Sequence, residues 1–185
     1  PFLCVSSRHF SLLFEVVMFA SVVIPTYNRK PILEKCLEAL EAQDVNGVLE
    51  RYEVVVVDDG STDGTPDWLR SQATRFPHVR LFEQDHGGPA EGRNNGVRQA
   101  LGDVIVFIDS DLVVTDSFLV CHAQALHRAW QQNDSKLCFT YGAVINTANF
   151  NQPTKERHKL RDLSWAYFAT GNVAIDRNVL ESSGL

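Results

Sequence analysis

Short β-branched runs separated by stretches of helical period limit this chain more than any other feature. "FASVVIP" (19–25), "YEVVVVDDG" (52–60), "VRLFEQ" (79–84), "VIVFIDSDLV" (104–113) and "KLCFTYGAVI" (136–145) read as five strands, and the four consecutive valines of the second suit a strand covered on both faces. Between the first two, Ile32, Leu33, Cys36, Leu37 and Leu40 recur at helical spacing, with Pro31 fitted to a first turn. Thr65-Pro66-Asp67 reads as an N-cap and first turn leading into Trp68 and Leu69. Pro89 opens a third helix to Ala100, ended by Gly102, and Thr115 or Asp116 caps a fourth to about Asn133. Alternation of this kind predicts an α/β fold: a largely parallel sheet with helices on both faces, forming a three-layer sandwich.

Two acids interrupt the apolar run of the fourth strand, Asp109 and Asp111. An unpaired carboxylate taken from water costs several kcal/mol or becomes protonated. The pair is therefore either past the strand end or held by counter-charge. Open parallel sheets bind ligands beyond the carboxyl ends of their strands, and "PTYN" (25–28), "DDGS" (58–61) and "DSD" (109–111) all fall there. Paired acids on that rim suit magnesium or manganese, which take one or two carboxylates together with substrate phosphates; the plainer reading is a polar strand exit. For Asp58 and Asp59, one is assigned to an Asx-turn, leaving the other free for a ligand N–H. A Rossmann dinucleotide site would need G-x-G-x-x-G after strand one, where "PTYNRKPI" has no glycine. A haloacid-type phosphatase would need a hydroxyl residue two positions after Asp111, where Val113 stands.

The 185 residues, 44% of them apolar, suffice for one domain. A formal net charge of −6 argues against a nucleic-acid partner. Cys4, Cys36, Cys121 and Cys138 are scattered without CxxC spacing, which argues for free thiols in a reducing compartment and against zinc. Glu15 divides the longest apolar run, so no stretch is long enough to span a membrane. Met18 stands directly before the first strand, and residues 1–17 are expected to be a non-native or upstream tail to a domain of residues 18–185.

Taken together, "SVVIPTYNRKPILEKCLEAL", "YEVVVVDDGSTDGT", "GGPAEGRNNGVRQALGDVIVFIDSDLV" and "FATGNVAIDRNVLESSGL" resemble a family 2 glycosyltransferase over Ser21 to Leu185. The resemblance implies an A-type, Rossmann-like nucleotide-sugar-binding domain that transfers sugar with inversion. Pro25, Thr26 and Tyr27 resemble the loop holding the nucleotide base, with Tyr27 stacking on it, and Asp59 resembles the acid that meets the base N–H. Arg93 resembles a basic residue near the diphosphate, and glycines 87 and 88 at a helix N-terminus would suit an anion. Asp109, Ser110 and Asp111 become the Asp-X-Asp motif: Asp111 the direct ligand of Mn2+ or Mg2+, Asp109 a contact to ribose or to the metal's water. Gly171 and Asn172 resemble the Gly-Asn turn beside donor sugar or acceptor. The implied partners are a UDP- or GDP-linked sugar and a saccharide, lipid or protein acceptor.

The family continues past the segment resembling "SSGL" to an acidic motif that supplies the general base, so the catalytic base is expected beyond Leu185 and the domain is expected to be C-terminally truncated. A fragment of that kind is expected to self-associate through the uncovered face, and the enzyme to be cytoplasmic, including the cytoplasmic face of the membrane. A non-catalytic sugar-nucleotide-binding or scaffold module and a nucleotidyltransferase-like enzyme are the alternatives. The polar stretch 148–163 reads equally as a loop near the donor phosphates or as a solvated connection. His78, His86, His122, His127 and His158 have no sequence context pairing them with a fixed acid, while Ile105, Phe107, Leu126 and Trp130 read as core.

Overall fold

The computed structural model describes residues 18–45, 49–133, 135–145, 163–164 and 171–184. The tail 1–17, nearly all of the 148–163 stretch and "WAYFAT" (165–170) lie outside the described residues. In chain order the elements are β1 (Met18–Thr26), α1 (Lys30–Glu41), β2 (Leu49–Asp58), α2 (Thr65–Ser71), β3 (Val79–Glu83), α3 (Pro89–Gln99), β4 (Val104–Ile108), α4 (Phe118–Asn133), β5 (Phe139–Tyr141), β6 (Val144–Ile145), β7 (Leu163–Ser164), β8 (Asn172–Asp176) and α5 (Arg177–Ser182).

Six strands form one sheet in the order β3-β2-β1-β4-β8-β5. The first four are mutually parallel, with Val22 level with Val54 and Val106. β8 runs antiparallel between β4 and β5, setting Asn172 opposite Ile108, the last residue before the acidic turn. Side chains alternate across a strand, so Val22, Ile24, Val54, Val56, Val106 and Ile108 meet α1, α2 and α4 through Leu33, Leu37, Leu40, Leu69, Leu119 and Leu126. On the opposite face, Val23, Val55, Val57, Ile105, Phe107 and Ile175 meet Val97 of α3, with Val179 and Leu180 of α5 beside them. Leu126 is fully buried and Trp130 packs against the same cluster.

A charged group sits inside this sheet where the valine run gave no warning. Glu53 is 6% exposed and accepts hydrogen bonds from the Ser21 hydroxyl (2.6 Å), the Leu101 N–H (2.6 Å) and Arg80 (2.6 Å). Burial pushes its carboxyl up, but the bonds from Ser21, Arg80 and Leu101 outweigh that and hold it below the usual carboxylate range. One side chain thereby ties β1, β2, β3 and the exit of α3.

Several boundaries differ from the sequence expectation, each for a local reason. Thr65 is not the N-cap of α2: Gly64, at φ 80°, is, and the Thr65 N–H donates to Asp63. Neither Thr115 nor Asp116 caps α4 with its side chain. The Leu119 N–H is instead accepted by Gln43, reaching across from the end of α1 (3.0 Å). Gly102 does not terminate α3, which ends at Ala100 turning to extended backbone; Gly102 lies where a Cβ would collide with the Phe19 carbonyl. The fifth expected strand divides in two: β5 joins the main sheet antiparallel to β8, while β6 pairs with β7 in a separate ribbon. The segment "NVAIDR" supplies the strand between β4 and β5 that a purely parallel reading omits.

The "GRNNG" segment is explained by how closely α3 approaches the sheet. A Cβ on Gly92 would stand 3.1 Å from the Pro25 Cβ, and one on Gly96 would stand 2.3 Å from a Val23 methyl. Two glycines one turn apart let the helix seat directly on β1, at a helix-propensity cost of about 1 kcal/mol each. Propensity alone makes Gly96→Ala stabilising by about that amount; the packing makes it destabilising by about 1 to 3 kcal/mol, because Val23 has no room to move. We expect thermal unfolding followed by circular dichroism to give a lower midpoint for Gly96→Ala, and a raised midpoint would contradict the close seating.

Candidate functional site

The carboxyl ends of β1, β2 and β4 open onto one cavity of about 410 Å³. From β1 and the turn after it come Pro25, Thr26, Tyr27 and Arg29; from the end of β2, Asp59; from the loop into α3 and the helix itself, His86, Pro89 and Arg93; from the turn after β4, Asp109, Ser110 and Asp111. The loops are laced together before any ligand is considered. Asn28, at φ 52° in the left-handed region that asparagine tolerates, accepts from the Thr62 N–H (2.8 Å), and its own N–H donates to the Ser61 hydroxyl (2.8 Å). The Asp59 N–H donates to the Thr26 carbonyl (2.9 Å).

The two neighbouring aspartates divide their work. Asp58 takes the local structural role, not through an Asx-turn but by accepting from the Ser61 N–H three residues on, at 2.8 Å. Asp59 is 2% exposed and is not free: its carboxylate accepts from the backbone N–H of Gly87 (2.9 Å) and Gly88 (2.8 Å) and from the Gln84 amide (2.7 Å), while His86 Nδ1 bonds the Asp59 carbonyl (3.0 Å) and stands 2.9 Å from the carboxylate. Burial pushes its carboxyl up, yet the Gly87, Gln84 and Gly88 donors, with His86, hold it below the ordinary range. The glycine amides expected to receive a ligand's anion therefore already serve this one. Loop 84–88 is thus anchored by Asp59, and Tyr27, 42% exposed, stacks on the His86 ring at 4.2 Å and 28°.

At the other end, both alternatives read from the sequence hold at once. β4 stops at Ile108, so Asp109 and Asp111 lie past the strand, and each is also paired with an arginine: Asp109 with Arg93 and Asp111 with Arg29 (2.8 Å). Arg93 belongs to α3, so the seating of that helix on β1 is what brings its guanidinium to Asp109. Ser110 is 4% exposed between the two acids. Beneath the turn, the Cys36 thiol faces the Asp109 carbonyl at 3.9 Å; burial, with the charges of Asp111 and Asp109, pushes the thiol far up, so it is a packing group and not a nucleophile. Cys36 and Cys138 are free thiols.

Gly171 and Asn172 stand at the border of this cavity and do not line it. A Cβ on Gly171 would come within 2.7 Å of the Asp109 carboxylate, so glycine here serves close approach and not an unusual backbone angle. Asn172 Oδ1 accepts from His122 Nε2 (2.8 Å), and the other ring nitrogen of His122 meets the Thr140 hydroxyl (2.7 Å). His122 is 6% exposed, and burial depresses its pKa, against the Asn172 bond. Sequence reading passed over Arg29, His86 and His122. Arg29 adjoins "PTYN" and was within reach of a charge argument, whereas each histidine meets its partners only across the fold.

Among the described residues no cluster of three or more His, Cys, Asp or Glu side chains could hold a metal ion by itself. Two carboxylates on one cavity wall nevertheless fit a hard divalent cation that takes its remaining ligands from phosphate and water.

The wall residues differ in what they do for the fold. Asp59→Ala removes the acceptor of three donors at a buried position and is expected to cost about 2 to 4 kcal/mol. Arg29→Gln breaks a half-exposed ion pair and is expected to change stability by less than about 1 kcal/mol. Urea unfolding of both variants checks this, and equal losses would contradict the anchoring role of Asp59.

Comparison with known proteins places this geometry. A family model described as glycosyl transferase family 2 matches residues 21–184. The glycosyltransferase YfnE of Bacillus subtilis is 39% identical over 108 residues, 58% of this chain and 27% of YfnE. Validoxylamine A glucosyltransferase of Streptomyces hygroscopicus is 41% identical over 112 residues, 58% of this chain and 26% of that protein. Among solved structures, the mannosyltransferase PcManGT of Pyrobaculum calidifontis, in complex with GDP-Man and Mn2+, superposes with a TM-score of 0.63 at 30% identity, covering 91% of this chain and 47% of PcManGT. The chain thus spans about a quarter of these curated relatives and about half of that structure. With nearly its whole described length matched, the chain belongs to glycosyl transferase family 2.

Proposed function

We propose that the cavity binds a nucleotide-diphosphate sugar and that this chain carries the donor site of a metal-dependent, inverting glycosyltransferase. The observation that carries the reading is the division of one cavity into two chemically different ends. An exposed aromatic face and a buried carboxylate stand at one end, and two carboxylates with two guanidiniums at the other. A planar base with a ring N–H fits the first end, and a diphosphate the second. The complex of the similar PcManGT with GDP-Man and Mn2+ supports this assignment.

Tyr27 would stack on the base, Asp59 would orient it, and Pro25 and Thr26 shape the floor beneath it. Among the described residues the Thr26 hydroxyl has no partner, which is a cost unless some other group meets it. Asp111 and Asp109 would hold Mn2+ or Mg2+, which when bound supplies charge neutralisation for the departing diphosphate. Arg29 and Arg93 would then turn from the two acids towards phosphate oxygens, keeping the end of the cavity near neutrality. Gly171, against Asp109, and the adjacent Asn172 would border the sugar. The cavity acids are assigned to base and metal in this reading, so the general base is proposed to lie beyond Leu185 in a longer protein, acting on a saccharide, lipid or protein acceptor. Among the described residues no helix is long and apolar enough to cross a membrane.

Calorimetric titration of the chain with UDP and GDP, in manganese and again with chelator, tests the assignment. Asp111→Asn is expected to lose most of the metal-dependent gain, roughly tenfold or more in affinity, and to keep the metal-independent part. Undiminished metal-dependent binding in that variant would overturn the assignment. Incubation with UDP- and GDP-sugars and an acceptor, read by mass spectrometry, separates transfer from binding alone.

A further inference from the structure

The His86 ring stands where the donor reading puts a nucleobase, and makes the contacts that reading gives to one. It lies flat on Tyr27 with ring centroids 4.2 Å apart, and its Nδ1 is 2.9 Å from the Asp59 carboxylate and 3.0 Å from the Asp59 carbonyl. Both partners are acceptors, so Nδ1 carries the proton and donates. Yet the loop does not need the ring. Gln84, Gly87 and Gly88 hold Asp59 from the same segment, the Gln84 N–H donates to the Asp58 carbonyl (2.9 Å), and the His86 side chain is 57% exposed. A carboxylate offers about four acceptor sites; Gln84, Gly87 and Gly88 take three, and the His86 ring, 2.9 Å away, stands over what remains. A base therefore reaches Asp59 only where the exposed His86 ring leaves. Nor can a base slide between the two rings, since that would need roughly 7 Å or more between them.

We propose that the His86 imidazole is an internal stand-in for the nucleobase, held by Tyr27 and Asp59, and that a nucleotide binds by displacing it. The inference rests on the donor reading above. The displacing group is a planar base with a ring N–H beside a carbonyl, as in uracil or guanine, which restores to Asp59 the donor it loses.

Removing an internal competitor tightens binding, whereas removing a ligand-binding residue weakens it. UDP and GDP are titrated calorimetrically in chelator against the native chain and His86→Ala, with circular dichroism to check folding. The variant is expected to bind about three- to tenfold more tightly, the range set by one exposed ring contact and one hydrogen bond. As a measurement on the native chain, the proton NOE between the Tyr27 and His86 rings is expected without nucleotide and lost on saturation with UDP or GDP. Equal or weaker binding by the folded variant, or an NOE that persists at saturation, overturns the displacement. If neither protein binds either nucleotide, in chelator or in manganese, the donor reading itself fails and the inference falls with it.

Discussion

A carboxylate buried at the end of a parallel strand must find donors, and those that Asp59 finds organise the cavity. Its oxygens collect the N–H groups of Gly87 and Gly88 and the Gln84 amide, which fixes the loop from β3 into α3 over the end of β2. The start of α3 follows from that loop, and glycines 92 and 96 let the helix settle on β1. Arg93 then arrives beside Asp109. The Tyr27–Asp59 end and the Asp109–Asp111 end of the cavity are therefore mechanically one unit, joined by a helix whose first residues answer to one buried anion.

This arrangement also balances the charge in a cavity with three carboxylates on its walls. Asp59 is met by neutral donors and one histidine, while Asp109 and Asp111 are each met by an arginine. Without those partners, the acids would repel one another and a diphosphate alike. The partners of Asp111 and Asp59, Arg29 and His86, are half-exposed or more, so their release costs less than moving buried groups would. The rim thus suits the proposed ligand, which brings an aromatic ring at one end and charge at the other.

What the sequence made legible follows from the range of each interaction. Val54 to Val57 announce a strand buried on both faces, and Ile32 to Leu40 announce the stripe of α1, because those patterns are local. The polar strand ends likewise located the rim. Contacts between distant segments were not legible: Gln43 capping α4, Glu53 binding Ser21 and Arg80, and His122 meeting Asn172 depend on residues brought together only by the fold. The position of β8 was not legible for a related reason, since a strand inserted antiparallel between β4 and β5 leaves no mark in a βαβ pattern. Gly87 and Gly88 looked like an anion site because they are one, and the anion is Asp59.

The most direct test of this account is a crystal structure of the chain with UDP or GDP and manganese. The account predicts base density on the Tyr27 ring beside Asp59, diphosphate density at Asp109 and Asp111 with the cation between, and the His86 ring moved off Tyr27. Nucleotide bound elsewhere on the protein, or bound here in the reverse direction with its phosphates at Tyr27, would contradict it.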